Sequence, residues 1–365
     1  MAIREFTEKR GRISDFMATQ GLGGLLLCRS SSWSWATCGR EAHVATNAET
    51  AFAALLFTPR RSYLIADRIE MPRLLAEEVA GLPFEPLEFP WYAPARRAAL
   101  ITSLAEGPLA ADVPVVGTRL LTDEVAALRY DLTLDEQARF RALGQDTGAA
   151  LEAAARAANP GQTEQEIAGR LAAEVYARGA TPVVILVAAD ERLTHFRHPP
   201  PSANRFTRAV MLVLCARRHG LVASATRLVH VGPLPDELRR RADAAAQIDA
   251  VAHAATTPGR DLCEVFEDIL EAYTSTGYGH AWRDHHQGGL AGYENRELVA
   301  NPRQSHLVRA GQAYAWNPSI AGVKSEDTLL VGGEQPDVLT ATGAWPIVPV
   351  ELDGQLHTRP DFLVI

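Results

Sequence analysis

The amino-acid sequence predicts an α+β protein of two domains: a smaller α/β domain over residues 1–122 and a larger one, built from duplicated α+β half-units, over residues 123–365. Three observations carry this expectation. The 365 residues exceed what one hydrophobic core usually serves. The first part of the chain alternates short apolar runs with helix-periodic stretches. Later, one helix-start design occurs twice, about a hundred residues apart. Asn159-Pro-Gly-Gln-Thr163-Glu-Gln-Glu166 and Thr257-Pro-Gly-Arg-Asp261-Leu-Cys-Glu264 each place Pro-Gly before an N-cap residue and a Glu three positions on.

Taken in order, Ile3, Phe6, Ile13, Phe16 and Met17 recur at near-helical spacing and predict a helix over residues 1–20, stopped by the glycines from Gly21 to Gly24. Apolar runs at Gly24–Cys28, Ala53–Phe57 and Ser62–Ala66 read as strands, the last two separated by a turn containing Pro59. Met71–Val79 and Ala95–Leu104 read as helices, with a strand at Phe84–Phe89 between them; the small domain then ends near Thr118. Thr133-Leu-Asp-Glu136 is a capping box that opens a long Ala-rich helix toward Ala158. The two repeated helix starts follow, each helix leading through a Gly into an ordered segment.

Composition excludes several function classes. Hydrophobic residues make up 47% and charged residues 22%, as in a globular chain rather than a disordered one. The net charge is −8 and the arginines are scattered, so no basic stripe is available to track a phosphate backbone and nucleic acid is not an expected partner. The opening Met-Ala-Ile-Arg-Glu-Phe-Thr-Glu-Lys-Arg is charged where a signal peptide turns apolar, and no apolar run reaches spanning length. A cytoplasmic protein with no membrane partner is expected. Cys28, Cys38, Cys215 and Cys263 lack Cys-x-x-Cys spacing and read as packed thiols in a reducing compartment. Cys215 has a competing reading as a nucleophile, which burial would disfavour by raising its pKa.

Three strings carry the chemistry: His286-Gln-Gly-Gly-Leu, Ala315-Trp-Asn317-Pro318 and Lys324-Ser-Glu326-Asp327-Thr328. Together they resemble the C-terminal part of the creatinase/aminopeptidase P family, the "pita-bread" enzymes, over roughly residues 120–340. The N-terminal domain matches more loosely, as in the creatinase and prolidase branch. The resemblance implies the duplicated pita-bread fold and a homodimer. It also implies where metal ligands stand in metal-dependent members: two Asp on a hairpin, a His before a Gly-rich turn, a Glu before a Pro, and a Glu in Arg-x-Glu-Asp-Thr. At these places the present chain has Cys215, Ser224, His286, Asn317 and Glu326, with Lys324 for the Arg, and the hairpin connection is about two residues shorter. Two hard divalent ions need bridging carboxylates, so neither a dinuclear centre nor any other cofactor is expected. A single soft ion on Cys215, His286 and Glu326 is the alternative.

Imidazole titrates near neutrality and can take and return a proton within one cycle. His195, in Leu193-Thr-His195-Phe196-Arg-His198-Pro, sits where the resemblance places the proton-transferring His; His198 is offset by three residues and reads as structural. His286 and Tyr293 are expected to stabilise developing charge, and the glycines after His286 to let substrate approach the backbone. His285 and Asp284 read as supporting or solvated groups. Tyr293-Glu294 stands where family peptidases have His-Glu, which places Glu294 among the substrate-binding residues. Glu326 is expected to meet a cationic group of the substrate, Asn317 to read an amide, and Lys324 to pair with Glu326 on one face of an extended strand. Arg40, after Trp33-Ser-Trp35-Ala-Thr-Cys38-Gly39, would clamp a substrate carboxylate, since in the dimeric branch this loop reaches the partner subunit's site. The function expected is metal-independent, creatinase-like cleavage of a C–N or related polar bond in a small amino-acid-like or amide substrate. The alternatives are a cofactor-free lyase or isomerase, a catalytically silent binding protein, and a residual Xaa-Pro peptidase.

Overall fold

The computed structural model describes residues 2–332 and 336–365, and their contacts group them into two units that meet in sequence at Glu136/Gln137. The expected boundary after residue 122 falls earlier, ahead of most of a short helix, Thr122–Ala127, that belongs to the first unit.

In the first unit the opening helix, Ala2–Gln20, buries Phe6, Ile13 and Met17 and leaves Ile3 exposed. Lys9 interrupts this apolar stripe and is itself fully buried. Its ammonium reaches Glu5 and Glu136 at 2.7 Å each and donates to the Trp35 carbonyl at 2.8 Å, so the charge is paired rather than stranded. Glu136 also closes the capping box: its Oε2 accepts from the Thr133 amide at 2.7 Å, while Thr133 Oγ1 accepts from the Glu136 amide at 3.2 Å. One carboxylate thus ties the first turn of the helix Leu134–Arg156 to the first helix.

The four expected strands and two short ones not foreseen, Leu109–Ala111 and Arg119–Leu120, form one mixed six-stranded sheet in the order Glu85–Phe89, Ser62–Asp67, Thr50–Phe57, Gly24–Arg29, Leu109–Ala111, Arg119–Leu120. Leu26, Leu56 and Ile65 bury one face of it together with Ile101 of the helix Ala95–Leu104. Two further details differ from the sequence reading. The stretch from Met71 is α-helical only to Arg73, then widens into a π-turn, Leu74–Glu78. A short helix, Ser30–Ala36, follows the first strand and buries both Trp33 and Trp35.

The second unit holds the expected duplication. Both repeated starts form complete capping boxes, on the helices Glu164–Ala177 and Leu262–Ser275. Both Pro-Gly turns are fixed alike by reciprocal backbone bonds. Gly161 donates to Phe206 O (2.7 Å) and Phe206 to Gln162 O (2.9 Å); Gly259 donates to Val308 O (2.9 Å) and Val308 to Arg260 O (2.9 Å). The helices accompany two sheets. One orders Phe362–Val364, Leu221–His230, Ala209–Arg218 and Thr181–Ala189. The other orders Leu298–Val299, Gly288–Ala291, Ala313–Trp316, Asp327–Leu330 and Asp337–Val338. They join where Thr226 N–H donates to Glu326 O (3.1 Å) and Val222 N–H to Gly292 O (2.9 Å). None of the helices among the described residues is long and apolar enough to cross a membrane.

Candidate active site

The hairpin Ala209–Arg218/Leu221–His230 organises the site. Its strands pair Arg218 with Leu221, leaving a two-residue turn in which His219 (φ 56°) and Gly220 (φ 76°) are both left-handed. Such a turn matches the twist of its strands. It places Cys215 directly opposite Ser224, whose hydroxyl donates to the Cys215 thiol at 3.2 Å.

A cavity of about 310 Å³ opens beside this pair. Val184, Leu186, Val213 and Cys215 give it an apolar wall; His198, His286, Asn317, Lys324 and Glu326, with Asn295 and Arg296, give it a polar one. The Lys324-to-Thr328 string divides its work by the alternation of an extended chain. Lys324 and Glu326 face the cavity. Asp327 turns away to Arg227 (3.0 Å) and Arg359 (2.7 Å), and Thr328 Oγ1 donates to the Ser224 carbonyl (2.9 Å).

Glu326 is buried with both carboxylate oxygens engaged. Oε2 takes Lys324 Nζ and Thr226 Oγ1 at 2.7 Å each, and Oε1 takes Arg296 Nη2 at 3.1 Å. Burial by itself would raise this carboxyl's pKa; the charges of Lys324 and Arg296 and the bonds from Lys324 and Thr226 outweigh it and hold it at about 2.

The histidines form a second group. His198 Nε2 and His285 Nε2 are 3.0 Å apart, and the His285 and His286 rings stack with centroids at 4.6 Å. Desolvation, then the nearby cations, lower all three pKa values, to about 2 for His285 and about 4 for His286. The three rings are therefore neutral at pH 7. Burial, then the Glu326 charge, pushes the Cys215 thiol up, which counts against a thiolate nucleophile. Asn317 is buried with its Oδ1 meeting no protein donor, an acceptor on the cavity wall.

Of the residues singled out from the sequence, His286, Asn317, Lys324 and Glu326 come together in this cavity. His195 does not line it. His195 ends the short helix Glu191–His195 and is exposed, its ring 6.2 Å from that of Phe196. The chain turns extended at Phe196 (φ −124°, ψ 138°), and His198 is the residue it delivers to the cavity. Tyr293 is buried, with its backbone amide on Glu297 (3.0 Å), and Glu294 is half-buried with its carbonyl on Gly292 (3.3 Å); neither lines the cavity. Arg40 lies in the first unit, in the coil after Gly39. Nor do the glycines after His286 open the backbone to substrate. At Gly288 (φ 111°) and Gly289 (φ 147°) a Cβ would collide with the carbonyls of Ala315 and Leu298, so these residues let neighbouring strands pack. The expected cationic partner of Glu326 is supplied by the protein itself. Arg296, not foreseen in the sequence, is half of it.

The five family ligand positions do not suit two divalent ions. They offer one carboxylate, already saturated by two protein cations, beside a protonated thiol, a hydroxyl, an amide and one imidazole.

Residues 138–333 match the model of metallopeptidase family M24. No curated protein matches the chain. Solved structures do. The Xaa-Pro dipeptidase from Bacillus anthracis is similar at TM-score 0.78 and 19% identity over 99% of this chain and 100% of that one. The prolidase from Pyrococcus horikoshii is similar at TM-score 0.78 and 19% identity, over 92% and 98%. The N-terminal domain of FACT complex subunit SPT16 from Cicer arietinum is similar at TM-score 0.68 and 10% identity, over 93% and 97%. At such identities the likeness speaks to fold, and it agrees with the pita-bread architecture and smaller N-terminal domain expected from the sequence.

Proposed function

The chain belongs to metallopeptidase family M24, and from that premise we propose that it is a metal-independent, creatinase-like hydrolase cleaving a C–N or related polar bond in a small, anionic, amino-acid-like substrate. One observation carries the reading: Glu326 is neutralised by Lys324 and Arg296 instead of being left for a divalent ion. Counting charges on the cavity wall, Lys324 and Arg296 contribute two positive, Glu326 one negative, and the neutral histidines, thiol and amides none. The surplus is positive, so the substrate group it receives is an anion. This reverses the expectation of a cationic substrate.

In this reading Lys324 and Arg296 hold the substrate carboxylate or the oxyanion that develops during attack. Asn317 Oδ1 accepts from a substrate N–H. Neutral His198 takes a proton from water as its oxygen bonds to the scissile carbon, and returns that proton to the leaving nitrogen as the C–N bond breaks. His286 lines the same cavity and orients the reacting group.

A second reading, cleavage of a small Xaa-Pro dipeptide, draws support from the Xaa-Pro dipeptidase and prolidase likenesses over nearly the whole chain. Such a dipeptide also carries a carboxylate for the positive wall. Chelator-treated enzyme assayed against amidino-, carbamoyl- and acyl-amino acids and Xaa-Pro dipeptides tests both. Turnover of an anionic amide or amidine that persists in chelator supports the first. Turnover confined to Xaa-Pro dipeptides and dependent on added manganese would overturn it in favour of the second.

A further inference from the structure

Three imidazoles from two separate segments converge at the edge of the cavity. His198 comes from the Pro-rich loop after the helix Glu191–His195, and His285 and His286 from the coil after the 3-10 turn Ala281–Asp284. One ring nitrogen from each lies within 4.8 Å of the other two. His198 Nε2 and His285 Nε2 already stand 3.0 Å apart, and the ring centroids of His198 and His286 are 5.8 Å apart. Although neighbours in sequence, His285 and His286 stack at 21° instead of pointing to opposite sides. His285 is buried, and its Nδ1 meets no protein partner.

We propose that His198, His285 and His286 form a binding site for one divalent transition ion of the zinc type, with the fourth position open to water or to an anion in the cavity. Only His286 is shared with the family's ligand pattern, so this is a different site from a dinuclear centre. Three nitrogen donors with no carboxylate suit borderline ions such as Zn²⁺, Co²⁺ or Ni²⁺ and are poor for Mn²⁺ or Mg²⁺. Zn–N bonds of about 2.0–2.1 Å in a tetrahedron separate ligand nitrogens by about 3.3 Å. That is close to the spacing His198 and His285 already hold, and a modest rotation brings in His286. The facing charges include Lys324, Arg296, Glu326 and Arg197; Lys324 is paired with Glu326 at 2.7 Å and Arg197 with Asp284 at 3.4 Å, which moderates their repulsion of an incoming ion. An ion here engages His198 and His286, both on the cavity wall, so it inhibits turnover; that consequence, unlike the site itself, rests on the function proposed above.

The test uses the full chain, without a histidine tag and stripped by chelator, titrated calorimetrically with Zn²⁺ and followed by visible absorption with Co²⁺. The expected result is one equivalent and an intense tetrahedral cobalt spectrum, with affinity reduced at least about tenfold in His285→Ala, His285→Gln and His198→Ala and unchanged in Cys215→Ser. Far-UV circular dichroism confirms that each variant is folded, and the two His285 variants guard against a misfolded one. Absence of saturable binding, binding indifferent to the His285 variants, or binding lost with Cys215 would each overturn the site. Zinc that restores activity to an inactive stripped enzyme would sustain the site and sink the metal-independent function.

Discussion

Lys324 Nζ lies 2.7 Å from Glu326 Oε2, and both side chains are buried on the same face of one extended segment. The lysine supplies positive charge at bonding distance to a carboxylate that is itself buried. Removing it strands a buried anion with only Arg296 to balance it. Lys324→Met is expected to lower stability by about 3–5 kcal/mol, read as a shift in urea midpoint at pH 7. A loss within error of zero would mean that water, not Lys324, satisfies Glu326.

The same carboxylate sets an acid limit. Its folded-state pKa is depressed from 4.5 to about 2, so the stability it contributes is fully present above about pH 4.5 and is lost as pH falls through about 2. In Glu326→Gln this contribution is absent, and unfolding free energy should fall less steeply between pH 4.5 and 2 than in the parent protein. Parallel curves over that window would contradict the depressed pKa.

Restoring the family's ligands should not by itself restore metal binding. Cys215→Asp, Ser224→Asp and Asn317→Glu together add three carboxylates, yet Lys324 and Arg296 remain on Glu326, and the tight His219-Gly220 turn keeps residues 215 and 224 directly paired. Manganese titration of this triple variant is expected to show no tight site. Adding Arg296→Leu and Lys324→Met is expected to produce one. Tight manganese binding by the triple variant alone would show that the two cations yield readily.

How far the sequence spoke depended on whether a residue sat in a periodic or capped context. The strands from Gly24, Thr50 and Ser62 were legible because continuous apolar runs between turn residues have few other uses, and the Thr163 and Asp261 boxes because their spacing encodes reciprocal bonds. Glu326 and Lys324 were legible as a pair because residues two apart in a strand share a side. Arg296 was not, since it lies in a loop without periodicity and its partner is thirty residues away in sequence. The choice between His195 and His198 was not legible for a related reason. A short helix gives way to extended chain between them, and no repeat in the Pro-rich loop tells which ring reaches the cavity.

That choice is open to direct measurement. Both rings are exposed, but His198 lines the cavity within 3.0 Å of His285, whereas His195 ends a short helix and does not line it. If His198 carries the proton, His198→Asn is expected to lower turnover of the substrate found by the panel by roughly two to four orders of magnitude. His195→Asn should change it less than about threefold, within the range of an exposed substitution. His285→Gln gives the intermediate case: it perturbs the ring that fixes the His198 tautomer, so kcat should fall and its pH profile shift while KM is little altered. Equal losses in the His195 and His198 variants would leave the cavity geometry without a mechanistic role. A loss confined to His195→Asn would return proton transfer to the residue that the sequence alone favours.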